Sequence, residues 1–131
     1  MSTSVDTVLR FYDTLGRSNV PAVLGLMDQQ IEWTEAERFP YFGGIWRTPG
    51  AVLAGLLVPL TRDWATFAAT PERFVSEGNS VVCFGRYTGQ HRTSRRLLDV
   101  AFAHSWVVDG DVITRFAQYT DTAKVLDATR S

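Results

Sequence analysis

The sequence predicts an α+β domain, with helices packed on the concave face of a curved, mainly antiparallel sheet. Three observations carry this reading. The N-terminal half repeats apolar residues at helical spacing, beginning at Ser4. From Trp64 to Thr120 the chain turns to runs rich in valine and aromatics, broken by turn signals at Gly78-Asn79 and Asp109-Gly110-Asp111. The composition, 131 residues with 45% hydrophobic and 21% charged, suits one core of ordinary size, so residues 1–131 are read as a single domain. Helices first and antiparallel strands after is an α+β order. A curved sheet with helices on its concave side leaves a blind cavity between the layers.

The elements follow in order. Val5, Val8, Leu9, Tyr12 and Leu15 make the stripe of a first helix that stops at Gly16. Asn19 caps a second helix, with Pro21 in its first turn and Val23, Leu24 and Met27 as its buried stripe. In a short strand, Ile31, Trp33 and Glu35 share one face. Residues 36–47 form a loop rich in aromatics, turning at Gly43, which reads as a lid or wall over the cavity, or as a surface packed on the sheet or a second subunit. Thr48 and Pro49 restart a helix with Val52, Leu53, Leu56, Leu57 and Leu60 inward. Four strands are expected over 63–77, 80–89, 97–108 and 112–120. A basic turn of Arg92, Arg95 and Arg96 joins the middle pair, and Asp121 caps a last short helix.

Several function classes are excluded or disfavoured. A formal net charge of -1 argues against a nucleic-acid or anionic-membrane binder. The single Cys83 permits no internal disulfide and reads as a buried inert thiol. His91, His104 and the scattered carboxylates show no metal-ligand spacing, so no metal is expected. Gly43-Gly44 follows an aromatic loop rather than a strand, so no phosphate loop is expected. No basic leader and no long apolar run is seen, and the expected location is cytoplasmic. Eight Phe, four Tyr and four Trp are many for this length, and some should face something other than core.

The order of elements resembles the nuclear transport factor 2-like fold, and within it the SnoaL-like polyketide cyclase and ketosteroid isomerase group. The likeness is carried by Phe11-Tyr12-Asp13, Ile31-Glu32-Trp33-Thr34-Glu35, Phe39-Pro40-Tyr41 with the Gly43 turn, and Gly85-Arg86-Tyr87-Thr88-Gly89. It continues through Phe102-Ala103-His104-Ser105-Trp106 and Arg115-Phe116-Ala117-Gln118-Tyr119-Thr120-Asp121-Thr122-Ala123. The fold hosts isomerases, hydrolases, cyclases and non-enzymatic binders, so the likeness speaks for fold more than for activity.

The resemblance puts Glu35 where the isomerases carry their carboxylate base. Beside Trp33 in an apolar cavity it should lose hydration and gain a raised pKa, as a general base near neutral pH requires. The alternative is a strand-end Glu that swings into solvent or pairs with Arg38 or Arg47. His104, between Phe102 and Trp106, falls where the isomerases place an acid that hydrogen-bonds the developing oxyanion. The alternative is a core His satisfied by a backbone carbonyl or by Tyr. Gln118 stands where SnoaL-like cyclases and limonene epoxide hydrolases carry a catalytic Asp, and it cannot take a proton. Phe11 stands where the isomerases carry an oxyanion Tyr. Tyr12 is next door but points about 100° away around the helix, and Tyr87 is a substitute donor if it faces inward. Asp121 reads as a cap rather than a second acid.

The expectation is a small apolar ligand in a pocket walled by Phe11, Trp33, Tyr41, Trp46, Phe102, Trp106 and Phe116, with Glu35, His104, Gln118 and Tyr87 as polar points. If the protein is an enzyme, it is a cofactor-independent isomerase or cyclase abstracting a proton next to a carbonyl. The rival is a non-catalytic ligand-binding or accessory protein. A third reading is a protein-interaction module of the nuclear transport type. The resemblance implies a homodimer through the sheet, whose exposed face carries Arg86, Ser105 and Val107.

Overall fold

The computed structural model describes residues 3–42 and 44–130, and the turn expected at Gly43 lies outside them. Thr3 and Asp6 close a capping box at the start of α1 (Ser4–Gly16), satisfying two of the helix's orphan N–H groups. The helix buries Thr7, Val8, Phe11 and Tyr12 against the sheet. Asn19 caps α2 (Val20–Gly25) through its side chain. Met27, expected on the α2 stripe, instead opens β1 (Met27–Thr34). The reason is tertiary: Met27 pairs with Ile113, and the Ile113 N–H donates to the Leu26 carbonyl, so the sheet claims this segment.

The aromatic loop is shorter than expected. It contains β2 (Ile45–Arg47), paired antiparallel with β1 so that Trp46 lies opposite Trp33. Thr48 caps α3 (Pro49–Val52). A π-helical turn (Leu53–Leu57) and α4 (Val58–Asp63) continue it without a break. Then come β3 (Trp64–Glu77), β4 (Ser80–His91), β5 (Leu97–Asp109) and β6 (Val112–Thr120). Asp121 accepts the Lys124 N–H and caps α5 (Thr122–Thr129), the role read from the sequence.

The six strands form one curved, unclosed sheet in the order β2-β1-β6-β5-β4-β3. Among the described residues only the β1–β6 pair is parallel. The basic turn between β4 and β5 does more than meet solvent. Arg92 donates to the carbonyls of Thr61, Arg62 and Trp64, so its guanidinium closes the C-terminal end of α4.

Burial alternates cleanly along the central strands. Val81, Cys83, Tyr87, Val100, Phe102, His104, Trp106, Phe116 and Gln118 are buried, and their sequence neighbours face the other way. The inward residues form an aromatic floor. Trp33 stacks on Phe116 at 3.9 Å between centroids, and Trp106 lies 4.8 Å from Phe11 and 4.6 Å from Phe116. Such stacked and tilted pairs contribute beyond the area they bury, through the ring quadrupoles.

Candidate active site

Between the sheet and the helices lies a cavity of about 900 Å³. Leu53, Leu56, Leu57 and Leu60 supply its helical wall, and Trp33, Phe67 and Phe116 supply much of its sheet wall. Among the described residues that line it, Glu35 is the only carboxylate and Arg62 the only permanent cation. Arg62 is tied to Asp63 and its side chain is 68% exposed, so the interior itself carries no fixed positive charge.

Glu35 sits one residue beyond β1 and keeps the strand's inward direction. It is 2% exposed. The Trp33 indole N–H donates to its Oε1 at 2.7 Å, while Oε2 has no partner. Loss of hydration pushes its pKa up to about 7, and the bond from Trp33 offsets only part of that effect. The alternative pairing with Arg47 is not seen. Arg47 and Arg115 both bind Glu32, which faces the opposite side of β1.

His104 occupies the centre of β5, directly opposite Cys83 on β4 and Gln118 on β6. Its ring stacks on Phe102 at 3.8 Å. Tyr12 Oη lies 2.6 Å from Nδ1, and Tyr87 Oη lies 2.5 Å from Nε2. With both nitrogens taken, the expected direct bond from His104 to a ligand oxygen does not fit. The geometry is the alternative, a buried His satisfied by tyrosine. Burial holds its pKa well below the usual value, so the ring is neutral.

Gln118 is equally committed. Its Oε1 accepts the Ala36 N–H at 3.0 Å, and its Nε2 donates to Tyr87 Oη at 2.8 Å. The first bond fixes which end of the amide faces Tyr87, and it also anchors the chain beside Glu35. Burial and the nearby Glu35 carboxylate keep the Tyr87 phenol protonated.

The cavity brings together Phe11, Trp33, Glu35, Tyr87, His104, Phe116 and Gln118. Four of the residues expected to wall it do not. Phe102 and Trp106 lie on the correct sheet face but are covered: Phe102 by the rings of Tyr87 and His104, Trp106 by Phe11 and Tyr12 of α1. Tyr41 turns to donate to Asp63 at 2.8 Å. Trp46, pinned on β2, presses on Gly55 of the π-helical turn, where a Cβ would come within 2.7 Å of the indole.

Sequence reasoning missed Tyr12, which lines the cavity and joins the histidine network. The signal was present. Tyr12 lies four residues after Val8 on the buried stripe of α1, and a sheet curling around that helix reaches more than one line of side chains.

A six-stranded, curved, unclosed sheet packed by helices across a largely apolar cavity is the nuclear transport factor 2-like fold. The chain belongs within it to the SnoaL-like domain family, whose profile matches residues 8–116. No curated protein matches the chain by sequence. Among solved structures, a nuclear transport factor 2-like protein from Burkholderia thailandensis E264 is similar at 28% identity, with a TM-score of 0.94 and 100% of both chains covered. TerC, co-crystallised with polyporic acid, is similar at 20% identity and TM-score 0.88, over 99% of this chain and 100% of its own. A protein with a ketosteroid isomerase-like fold from Catenulispora acidiphila DSM 44928, in complex with trimethylamine, is similar at 16% identity and TM-score 0.82. There the match covers 97% of this chain and 94% of that one. At those two identities the likeness is one of fold.

Proposed function

We propose that the protein is a cofactor-independent isomerase or cyclase in which Glu35 removes a proton from the carbon next to a carbonyl of an uncharged, apolar substrate. The observation that carries this is the bare Oε2 of Glu35, buried on the cavity wall with its partner oxygen fixed by Trp33. A carboxyl group with a pKa of about 7 is partly ionised at neutral pH, and it is a stronger base than a solvated one. The absence of a fixed interior cation favours a neutral substrate, and the aromatic and leucine walls favour a flat polycyclic skeleton of steroid or polyketide type. The co-crystallisation of TerC with polyporic acid supports a ring-shaped occupant.

The test is deuterium exchange at the activated carbon of 2-tetralone in heavy water, followed by proton NMR. The parent should accelerate exchange, and Glu35→Gln should lower the rate by about a hundredfold or more while leaving the dissociation constant within a factor of about three. Binding without exchange in both proteins would favour the second reading, a non-catalytic ligand carrier. That reading draws on one observation: Gln118 is an amide tied to Ala36 and Tyr87 and cannot exchange a proton, so no second acid faces Glu35 among the described lining residues.

The proposal extends to assembly. On the outer sheet face Val82, Ser105 and Ala117 lie side by side, and Phe84, Ala103 and Tyr119 form the next row. Phe84 is 40% and Tyr119 61% exposed, small side chains lie between them, and the Arg73 guanidinium sits over the Phe84 ring, a mixed apolar and basic strip that fits a second copy. Sedimentation should give twice the 14.7 kDa chain mass, and Ala103→Arg should give the single-chain mass. A monomeric parent at micromolar concentration would rule this assembly out.

A further inference from the structure

We propose that Tyr87 is the hydrogen-bond donor to the substrate's oxygen, and that Trp106, Tyr12 and His104 are positioning residues that turn its hydroxyl hydrogen into the cavity. This deepens the reading of Glu35 as a base and rests on it for the reaction.

The argument is a count of donors and acceptors. An indole N–H only donates, so Trp106 Nε1 donates to Tyr12 Oη, at 3.2 Å. The Tyr12 hydroxyl hydrogen then has two places to go: His104 Nδ1 at 2.6 Å, or the Cys83 thiol beside it. Sulfur is a weak acceptor and an imidazole nitrogen a strong one, so the hydrogen goes to Nδ1. A neutral imidazole carries one N–H, which must therefore be on Nε2. That N–H donates to Tyr87 Oη at 2.5 Å. The same oxygen already receives the Gln118 amide at 2.8 Å, and the Ala36 N–H fixes that amide's orientation. Two donors fill both lone pairs of Tyr87. Its own hydrogen has no acceptor left among these partners, and Tyr87 faces the cavity with Glu35 close enough to perturb it.

The chain Trp106, Tyr12, His104, Tyr87 thus runs in one direction and ends on a hydroxyl aimed at the ligand space. Each bond polarises the next, so the last donor is stronger than an isolated phenol. Every member is neutral and buried, so the relay keeps its polarity while Glu35 titrates. The complementary ligand has a hydrogen-bond acceptor for Tyr87 and an acidic C–H for the bare Glu35 oxygen. A ketone with an adjacent C–H has both. During abstraction the C–H electron pair moves into the new C=C bond and the carbonyl pair moves onto oxygen. Glu35 holds the proton, and Tyr87 holds the enolate oxygen.

Two measurements test the relay. Nitrogen-15 NMR of the histidine rings in the free protein should find His104 protonated on Nε2 only and unchanged between about pH 5.5 and 8.5, with His91 assigned through His91→Gln. Tyr12→Phe should release the lock and populate the other tautomer, which a purely space-filling role would not do. A proton on Nδ1 in the parent overturns the relay. Infrared spectra of carbonyl-labelled 2-tetralone bound to Glu35→Gln, which binds without turnover, should show the C=O band moved to lower frequency. The double variant Glu35→Gln/Tyr87→Phe should return the band to its position in apolar solvent, and a band that stays shifted overturns the donor role. In the exchange reaction Tyr87→Phe alone should lose about a hundredfold in rate. If the parent shows no exchange but His104 is locked on Nε2, the base assignment falls and the relay stands.

Discussion

Glu35→Gln should be more stable than the parent by roughly 3 kcal/mol near pH 8, and equal to it near pH 4. The sign follows from the direction of the shift. Burial raises the folded-state pKa from 4.5 to about 7, so the folded state favours the protonated acid. Below about 4.5 the group is protonated whether the chain is folded or not, and it makes no difference. Between 4.5 and about 7 only the unfolded chain releases the proton, so stability falls as pH rises. Above that range the whole penalty is present. Gln has the shape of the protonated acid and never ionises. His104 adds a separate dependence, because burial disfavours its charged form and stability is lost as pH falls below its ordinary value of 6.5. That loss is common to both proteins and cancels in the comparison. Urea unfolding across the pH range reads the difference directly. Parallel stability curves would mean that Glu35 is solvated, and the case for a poised base would go with it.

Gly85→Ala should cost about 2–3 kcal/mol and lower the melting temperature by roughly 10 °C. A Cβ at position 85 would stand 2.3 Å from the Thr70 carbonyl oxygen and 2.5 Å from Cζ of Phe102. The carbonyl belongs to the paired strand and cannot retreat without breaking the ladder, which already shifts register between Pro71 and Arg73. The ring cannot retreat either, since it is stacked on His104. The substitution therefore reaches the site as well as the fold. Calorimetry checks the stability, and the nitrogen-15 spectrum of His104 checks the site. A melting temperature unchanged within about 2 °C would show that the strand relaxes freely.

Much of this is legible in the sequence. Period-two alternation placed Glu35 with Ile31 and Trp33, and His104 with Phe102 and Trp106, because a strand leaves a side chain only two faces to choose from. Cap chemistry is equally local, which is why Asn19, Thr48 and Asp121 read correctly. Periodicity names a face but not what covers it. Phe102 and Trp106 point inward yet lie under α1 and Tyr87, a fact of three-dimensional packing. The β1–β6 pairing that pulled Met27 into a strand joins segments far apart in sequence, and no window of local residues encodes it. The tie between Tyr41 and Asp63 is likewise a contact between separate elements. The angle around an isolated helix points Tyr12 away from the cavity, but the relevant quantity is the arc of that helix enclosed by the sheet.

The π-helical turn at Leu53–Leu57 has a consequence for how such a protein can diversify. A π turn holds one more residue than an α turn. Deleting one residue there would let the turn close as an α turn, so Leu60 beyond it would keep its face while the leucines within the turn, Leu53, Leu56 and Leu57, would be re-aimed at the chamber. The proposed acid–base groups sit on β1, β4 and β5 or just beyond them, and none of them would move. Shape selection and chemistry are thus written on separate parts of the chain. A single-residue deletion or insertion in this turn could exchange one substrate for another while the proton-transfer apparatus passed unaltered from ancestor to descendant.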